Sequence, residues 1–390
     1  MDRKVILAVA GSGKTYRICH DINPDKKNLL LAFTHENIAN INRELLSLPC
    51  GMPRLTEVMT FDSFVYRYAI CPFVGQMARL FKYEGVSPNG ITIKTPPVCS
   101  FCDKAGNHRK NPNYHPVTCM EHFFDEKGRF YCALLCELII RCGEPLIDKI
   151  AELVNCCFDT VAIDEFQDFR NYEFDFILRL TERLNKVTLV GDFFQHSVIP
   201  KKNFGRPYVM KNKSILEYSG FKEMLTNKGF VVDEESLSKS RRCSKRTCDF
   251  VRAKLGVPIE SLELNPGEIR QLDDSEVDDV LANPSIQKLV YEEANRQVFS
   301  PCVNWSYSKG DTYSTTCVIL TKRKEAQIMN HDFNVAKLSC VSRNTLYVAL
   351  TRSKGNVYVV AHEQLERCHV FDRVRGKVAN LPEFCARVNM

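Results

Sequence analysis

The sequence predicts an α/β fold of two units, each a parallel sheet covered by helices, with a small zinc-binding insertion in the first. Three features predict it. Short apolar runs alternate with segments of helical period along most of the 390 residues. Several of those runs end abruptly in polar residues that carry chemistry, as parallel strands do at their carboxyl ends. From about residue 85 to about 130 the periodicity lapses into a stretch rich in Pro, Asn, Gly, Cys and His.

The first unit is expected over residues 1–230. Residues 5–9 are an apolar run that breaks into Ala10-Gly11-Ser12-Gly13-Lys14-Thr15, and a helix is expected over 14–21. Strand, Gly-rich turn and helix make an anion cradle, because N–H groups at a helix start point outward and the macrodipole favours negative charge there. In such a cradle Lys14 reaches the outer phosphates and the Thr15 hydroxyl holds Mg²⁺. The usual pattern opens on Gly, and Ala8 stands there instead. Residues 28–33 predict a buried strand. Thr34 then caps a helix with Ile38, Ile41 and Leu45 on its inner face. A short strand over 57–60 and a helix over 61–69 follow.

Inside the aperiodic 85–130 insertion lie Cys99-x2-Cys102 and Cys119-x2-His122. Two close ligand pairs separated by a loop have the spacing of a tetrahedral structural zinc site. A metal would also let a segment with few large apolar residues fold. Helical pattern resumes over 131–155. Residues 159–163 form a strand ending in Asp164-Glu165, and 186–190 another ending in Gly191-Asp192-Phe193-Phe194-Gln195. The second unit, 231–390, is expected to hold a helix over 244–255, a solvated acidic loop near 273–279, and a strand over 316–320. A helix from 343 to 350 and a last strand over 357–361 complete it.

Composition sets bounds. With 44% apolar and 26% charged residues the chain reads as a soluble globular protein. No apolar run nears the ~20 residues that cross a bilayer. The N-terminal run flows into the Gly-rich turn without a leader's design. A cytoplasmic protein with no membrane partner is expected. The 18 cysteines then read as reduced thiols, mostly core filler such as Cys132, Cys136, Cys156 and Cys157. A formal charge of +6 is a mild basic bias, compatible with a polyanionic partner.

A phosphate loop joined to a second strand ending in Asp-Glu is the pattern of a nucleoside triphosphatase. Asp164 would hold Mg²⁺ and Glu165 would orient or deprotonate the attacking water. Gln195 would touch the γ-phosphate and that water. Phosphoryl transfer also needs arginines to meet developing charge, and Arg242 and Arg352 are the candidates.

The ordered motifs resemble those of a superfamily 1 helicase, nearest the UvrD/Rep type. Ala8-x-Ala10-Gly11-Ser12-Gly13-Lys14-Thr15 is similar to the first motif, including its leading Ala. Leu31-Ala32-Phe33-Thr34-His35 and Thr60-Phe61-Asp62-Ser63-Phe64 resemble strand-contacting motifs, with Asp62 where the family has His. Ile163 to Asp168 resembles the Mg²⁺ motif, and Val190 to Gln195 the coupling motif. Residues 237–243 resemble the motif of the first arginine finger, Arg242. Ser308-Lys309-Gly310-Asp311-Thr312 resembles the fifth motif and residues 346–353 the sixth, with Arg352 the second finger.

The resemblance implies two RecA-like phosphate-loop domains that hydrolyse ATP with Mg²⁺ and move along single-stranded DNA or RNA. Lys14, Asp164, Glu165, Gln195, Arg242 and Arg352 would be catalytic. Residues 10–15 (Ala10, Gly11, Ser12, Gly13, Lys14, Thr15) and Gly310 would hold the nucleotide, and Thr34, His35, Ser63 and Thr351 the strand. Three departures stand out. No adenine-reading Gln precedes the loop. Thr312 stands where the UvrD type has Glu, a position that looks more like the Pif1/RecD and viral branches. His196 to Pro200 replaces the base-stacking run. These departures keep two alternatives: an ATPase switch serving a partner nuclease or a repair or defence complex, and a zinc-dependent nucleic-acid-binding module.

Overall fold

The computed structural model describes residues 2–102, 107–196, 217–294, 297 and 299–367. They fall into two compact units. The first comprises Met1–Leu7, Lys14–Phe193 and Val198–Glu234; the second comprises Ala8–Gly13, Phe194–Ser197 and Glu235–Met390.

The first unit is built on six strands: β1 (Asp2–Leu7), β2 (Asn28–Ala32), β3 (Thr56–Thr60), β4 (Thr160–Ile163), β5 (Lys186–Gly191) and β6 (Val231–Asp233). They lie in the order β6-β1-β5-β4-β2-β3, with every neighbour parallel. Every residue of β2 is buried, as a strand covered on both faces requires. Strand β6 carries no alternating pattern of its own and forms because Lys4, Val5 and Ile6 pair with Val231, Val232 and Asp233. It takes the first sheet past the boundary expected at residue 230. The order β1-β5-β4 sets three carboxyl ends side by side: the one leading to the Gly-rich turn, the one at Gly191, and the one at Asp164.

Helix His35–Leu46 starts as expected, with the Thr34 hydroxyl accepting the Asn37 N–H at 3.1 Å. The helix expected over 61–69 is α-helical only for Phe61–Phe64 and continues as a π-helix, Val65–Ile70. The helical patterns expected over 131–155 resolve into two helices, Leu135–Cys142 and Glu144–Cys157. Gly143, at φ +86°, breaks them, and Pro145 suits the first turn of the second. Within the insertion, Ser100–Cys102 and His108–Lys110 form an antiparallel pair, and Met120–Phe123 a 3₁₀ turn anchored by buried Met120 and Phe123.

The second unit carries a five-stranded sheet: β7 (Ile269–Gln271), β8 (Gln287–Val290), β9 (Cys302–Asn304), β10 (Thr316–Ile319) and β11 (Val357–Val360). Its order is β7-β11-β10-β8-β9, again all parallel. Trp305, just after β9, is buried and its indole N–H donates to Leu289 O at 2.9 Å.

The acidic stretch expected to be a solvated loop is the start of a helix, Asp274–Ala282. Val277 and Leu281, four residues apart, are fully buried in a cluster with Leu272, Ile286, Val290 and Ile319. The Glu276 carboxylate accepts the Asp273 N–H at 3.0 Å and takes a two-pronged bond from Arg270, both at 2.7 Å. Acidic residues in a first turn also suit the helix dipole. Their charge hid two core residues. Cys132 and Cys136 are buried as expected, whereas Cys156 is exposed. No described helix is long and apolar enough to cross a membrane.

Leu281→Ala is expected to cost about 2–5 kcal/mol, as emptying a packed leucine site does, and exposed Asp279→Ala to stay within about 0.5 kcal/mol. Denaturant titration of the two variants checks this; a neutral Leu281→Ala would return the segment to a surface loop.

Candidate active site

In the first unit, the carboxyl end of β4 faces the start of helix Lys14–His20. The Thr15 hydroxyl donates to Asp164 Oδ2 at 3.0 Å. Lys14 Nζ lies 3.5 Å from Glu165 Oε1, and these side chains are only 10% and 13% exposed. The Glu165 N–H donates to Asp164 Oδ1 at 2.8 Å. Burial pushes the Asp164 carboxyl up to about 6, and the negative charge of Glu165 adds to that rise. Lys14, the Thr15 hydroxyl and the Glu165 N–H act against it.

Glu165 itself sits in the left-handed region, at φ +53° and ψ +39°. A non-glycine residue there costs about 1–2 kcal/mol, and such strain is found where the surroundings over-determine a functional residue. The surroundings include Gln167, a residue that the sequence offered only as part of a motif. Its side-chain N–H₂ donates to Glu165 Oε2 at 2.5 Å, and its carbonyl oxygen accepts the Asp192 N–H at 3.0 Å. A spacing of two residues after the second carboxylate of the Asp-Glu pair, on a tight turn, is the signal that could have found it.

The donor set fits a hard divalent cation. One hydroxyl and one carboxylate lie together, and the carboxylate is buried where its ionised form lacks solvation. Thr15 and Asp164 are thus brought together as the sequence expects for Mg²⁺.

Among the second unit's residues, the tip of the Gly-rich turn bends through Gly11 at φ +68° and Gly13 at φ +96°. The Ser12 hydroxyl donates to Val9 O at 2.9 Å, and the Ala10 N–H donates to the Tyr347 hydroxyl at 2.8 Å. A Cβ at Gly11 would stand 2.5 Å from Arg242 Cβ, so only glycine fits. Arg242 is half-buried and donates to Thr351 O at 3.2 Å. Gln195 is buried on the turn after β5, and Gly310, at φ +97°, is exposed.

Three expectations change. Arg352 is 1% exposed, with Nε donating to Val348 O at 2.8 Å, Nη1 to Ser308 O and Nη2 to the Thr351 hydroxyl. As placed it ties the end of helix Cys340–Leu350 to the Ser308 turn rather than extending as a finger. Thr351, expected to touch a strand, is fully buried and its hydroxyl donates to Tyr347 O at 2.8 Å. Among the described residues no three His, Cys, Asp or Glu side chains stand close enough to hold a metal ion. The expected zinc set of Cys99, Cys119 and His122 is therefore not gathered. The side chain of Cys102, its fourth member, lies outside the described residues. The His122 ring instead bonds His115 O through Nδ1 at 2.7 Å. Thr34 and His35 are exposed, while Ser63 shares a 2.8 Å hydroxyl bond with Thr60. Of the run from His196 to Pro200, all but His196 lies outside the described residues.

Comparison with known proteins gives one family. The viral superfamily 1 RNA helicase core domain matches residues 144–361, more than half of the chain. Among solved structures, similarity is found to the PRRSV helicase, at 13% identity and a TM-score of 0.43, covering 93% of this chain and 53% of that one. Arterivirus nonstructural protein 10 (helicase) in complex with DNA matches at 12% identity and a TM-score of 0.43, covering 92% and 60%. The chain thus spans between about half and three-fifths of those helicase chains. No curated protein matches it. The UvrD/Rep type expected from the motifs gives way to the coarser finding of superfamily 1 membership.

Asp164→Asn removes a buried charge and keeps an oxygen for Thr15. A raised carboxyl leaves the folded state holding its proton between about pH 4 and 6 while the unfolded state has lost it. Stability therefore falls with rising pH across that window and levels off above it. The variant is expected to melt about 2–4 °C higher at pH 7 without nucleotide, to match wild type near pH 4, and to lose turnover. Thermal melts at both pH values with phosphate-release assays check it.

Proposed function

Because the chain belongs to the viral superfamily 1 RNA helicase core family, we propose that it hydrolyses a nucleoside triphosphate to move along a single nucleic-acid strand. The observation that carries this reading is the pairing of Lys14 and Thr15 with Glu165 and Asp164. In it, the N-terminal turn of helix Lys14–His20 and the adjacent loop cradle the phosphates. Lys14 leaves Glu165 for the outer phosphates, and Glu165 accepts the proton of the attacking water. Mg²⁺, held by Thr15 and Asp164, would neutralise charge on the phosphate oxygens. Arg242 is the arginine we assign to the developing negative charge, and Gln195 the residue that senses the γ-phosphate. A second-finger role for Arg352 requires it to exchange its present carbonyl partners.

ATP is the proposed nucleotide. Single-stranded RNA is the strand we favour, since the matched family is described by RNA, and single-stranded DNA is the comparison arm. Thr34 and His35, exposed beyond the carboxyl end of β2, are the proposed strand contacts in the first unit. Thr312 in the fifth motif supports the viral branch over the UvrD/Rep type.

Lys14→Ala is expected to abolish hydrolysis, and Glu165→Gln to bind a fluorescent nucleotide analogue within about threefold of wild type while turnover stops. Arg242→Ala is expected to keep binding and lose about 10³-fold or more in rate. Turnover at wild-type rate in Glu165→Gln would overturn the assignment of the base.

A further inference from the structure

We propose that Gln167 is the residue that holds the Glu165 carboxylate in line for its water once Lys14 has moved to the phosphates. The inference rests on the reading of Glu165 as the base. Lys14 and Gln167 engage Glu165 at opposite oxygens: Lys14 Nζ lies 3.5 Å from Oε1, and the Gln167 side-chain amide 2.5 Å from Oε2. Nucleotide binding draws Lys14 toward phosphate and weakens the first. The second stays, because Gln167 belongs to the same turn as Glu165.

The geometry also fixes which way the amide points. A side-chain amide has one donor end and one acceptor end. The Asp192 backbone N–H can bond only to the oxygen, and it does so at 3.0 Å. The N–H₂ end is thereby committed to Glu165. Gln167 is 1% exposed, so water cannot take over either bond. The room for this bridge is made at Gly191, where a Cβ would come within 2.3 Å of the Gln167 carbonyl oxygen. The glycine at the end of β5 and the glutamine after β4 are one device, running from the Asp192 backbone to the catalytic carboxylate. Gln167 is a positioning residue: it acts on the reaction through Glu165.

The isostere Gln167→Glu keeps the shape and the bond from Asp192 but sets an oxygen against the Glu165 carboxylate. Steady-state hydrolysis and analogue binding by the full chain test the idea, with Gln167→Ala beside it in case the charged variant misfolds. The expected result is a loss of about 10²-fold in kcat for either variant, the scale of a small misplacement. KM and analogue affinity should stay within about threefold. A role in stability alone would lower the melting temperature and leave kcat of the folded fraction unchanged, and that result, or wild-type kcat, overturns the proposal. The swapped pair Glu165→Gln with Gln167→Glu restores a donor facing an acceptor. It should regain whatever melting temperature Gln167→Glu loses without regaining turnover. Glu165→Gln alone separates the two claims: if it turns over normally, the base assignment has failed, whereas a dead Glu165→Gln beside a normal Gln167→Glu sinks only the positioning role.

Discussion

A carboxylate buried at the carboxyl edge of a parallel sheet has little water to solvate its charge, and the first unit is arranged around that one cost. Asp164 is 2% exposed at the end of β4, with a second carboxylate, Glu165, next to it in sequence. Two neighbouring negative charges in a low-dielectric setting are tolerable only where positive charge and donors converge. Lys14, the Thr15 hydroxyl and the Glu165 N–H supply part of what is needed.

Strand order makes this possible. The β1-β5-β4 neighbourhood sets the carboxyl ends of the strands before Asp192 and Asp164 side by side, so a single small amide can join two strand ends. The left-handed backbone at Glu165 fits the same account: the turn is held in a strained shape because Gln167, Asp164 and Lys14 all engage it. In the second unit the corresponding economy is different. There buried Arg352 fixes the end of helix Cys340–Leu350 to the Ser308 turn, while Arg242 is half-buried and donates to Thr351 O.

Much of this was legible in the sequence, for physical reasons that differ by element. Buried parallel strands such as 28–32 write themselves as unbroken apolar runs, and Thr34 declares its helix by capping chemistry. The Gly-rich turn and the Asp-Glu pair were legible because the chemistry proposed for them dictates both residue type and spacing. The misses came where tertiary contact overrides local pattern. Residues 273–279 look solvated, yet Val277 and Leu281 are core and Arg270 offsets the acid beside them. Val231–Asp233 is a strand only because β1 offers it an edge. Thr351 and Arg352 looked poised for ligands by motif, whereas both are buried, with the Thr351 hydroxyl donating to Tyr347 O and Arg352 Nε to Val348 O. The Cys/His spacing of the insertion speaks of zinc, but among the described residues Cys99, Cys119 and His122 do not gather into one group.

The central claim is that this buried-charge site turns over nucleotide in response to a single strand. Phosphate release by the wild-type chain, with Mg²⁺ and each of the four nucleoside triphosphates, tests it directly in three parallel arms: single-stranded RNA, single-stranded DNA and no strand. The account predicts Mg²⁺-dependent hydrolysis that rises when a single strand is added. Hydrolysis at background level in every arm would contradict it.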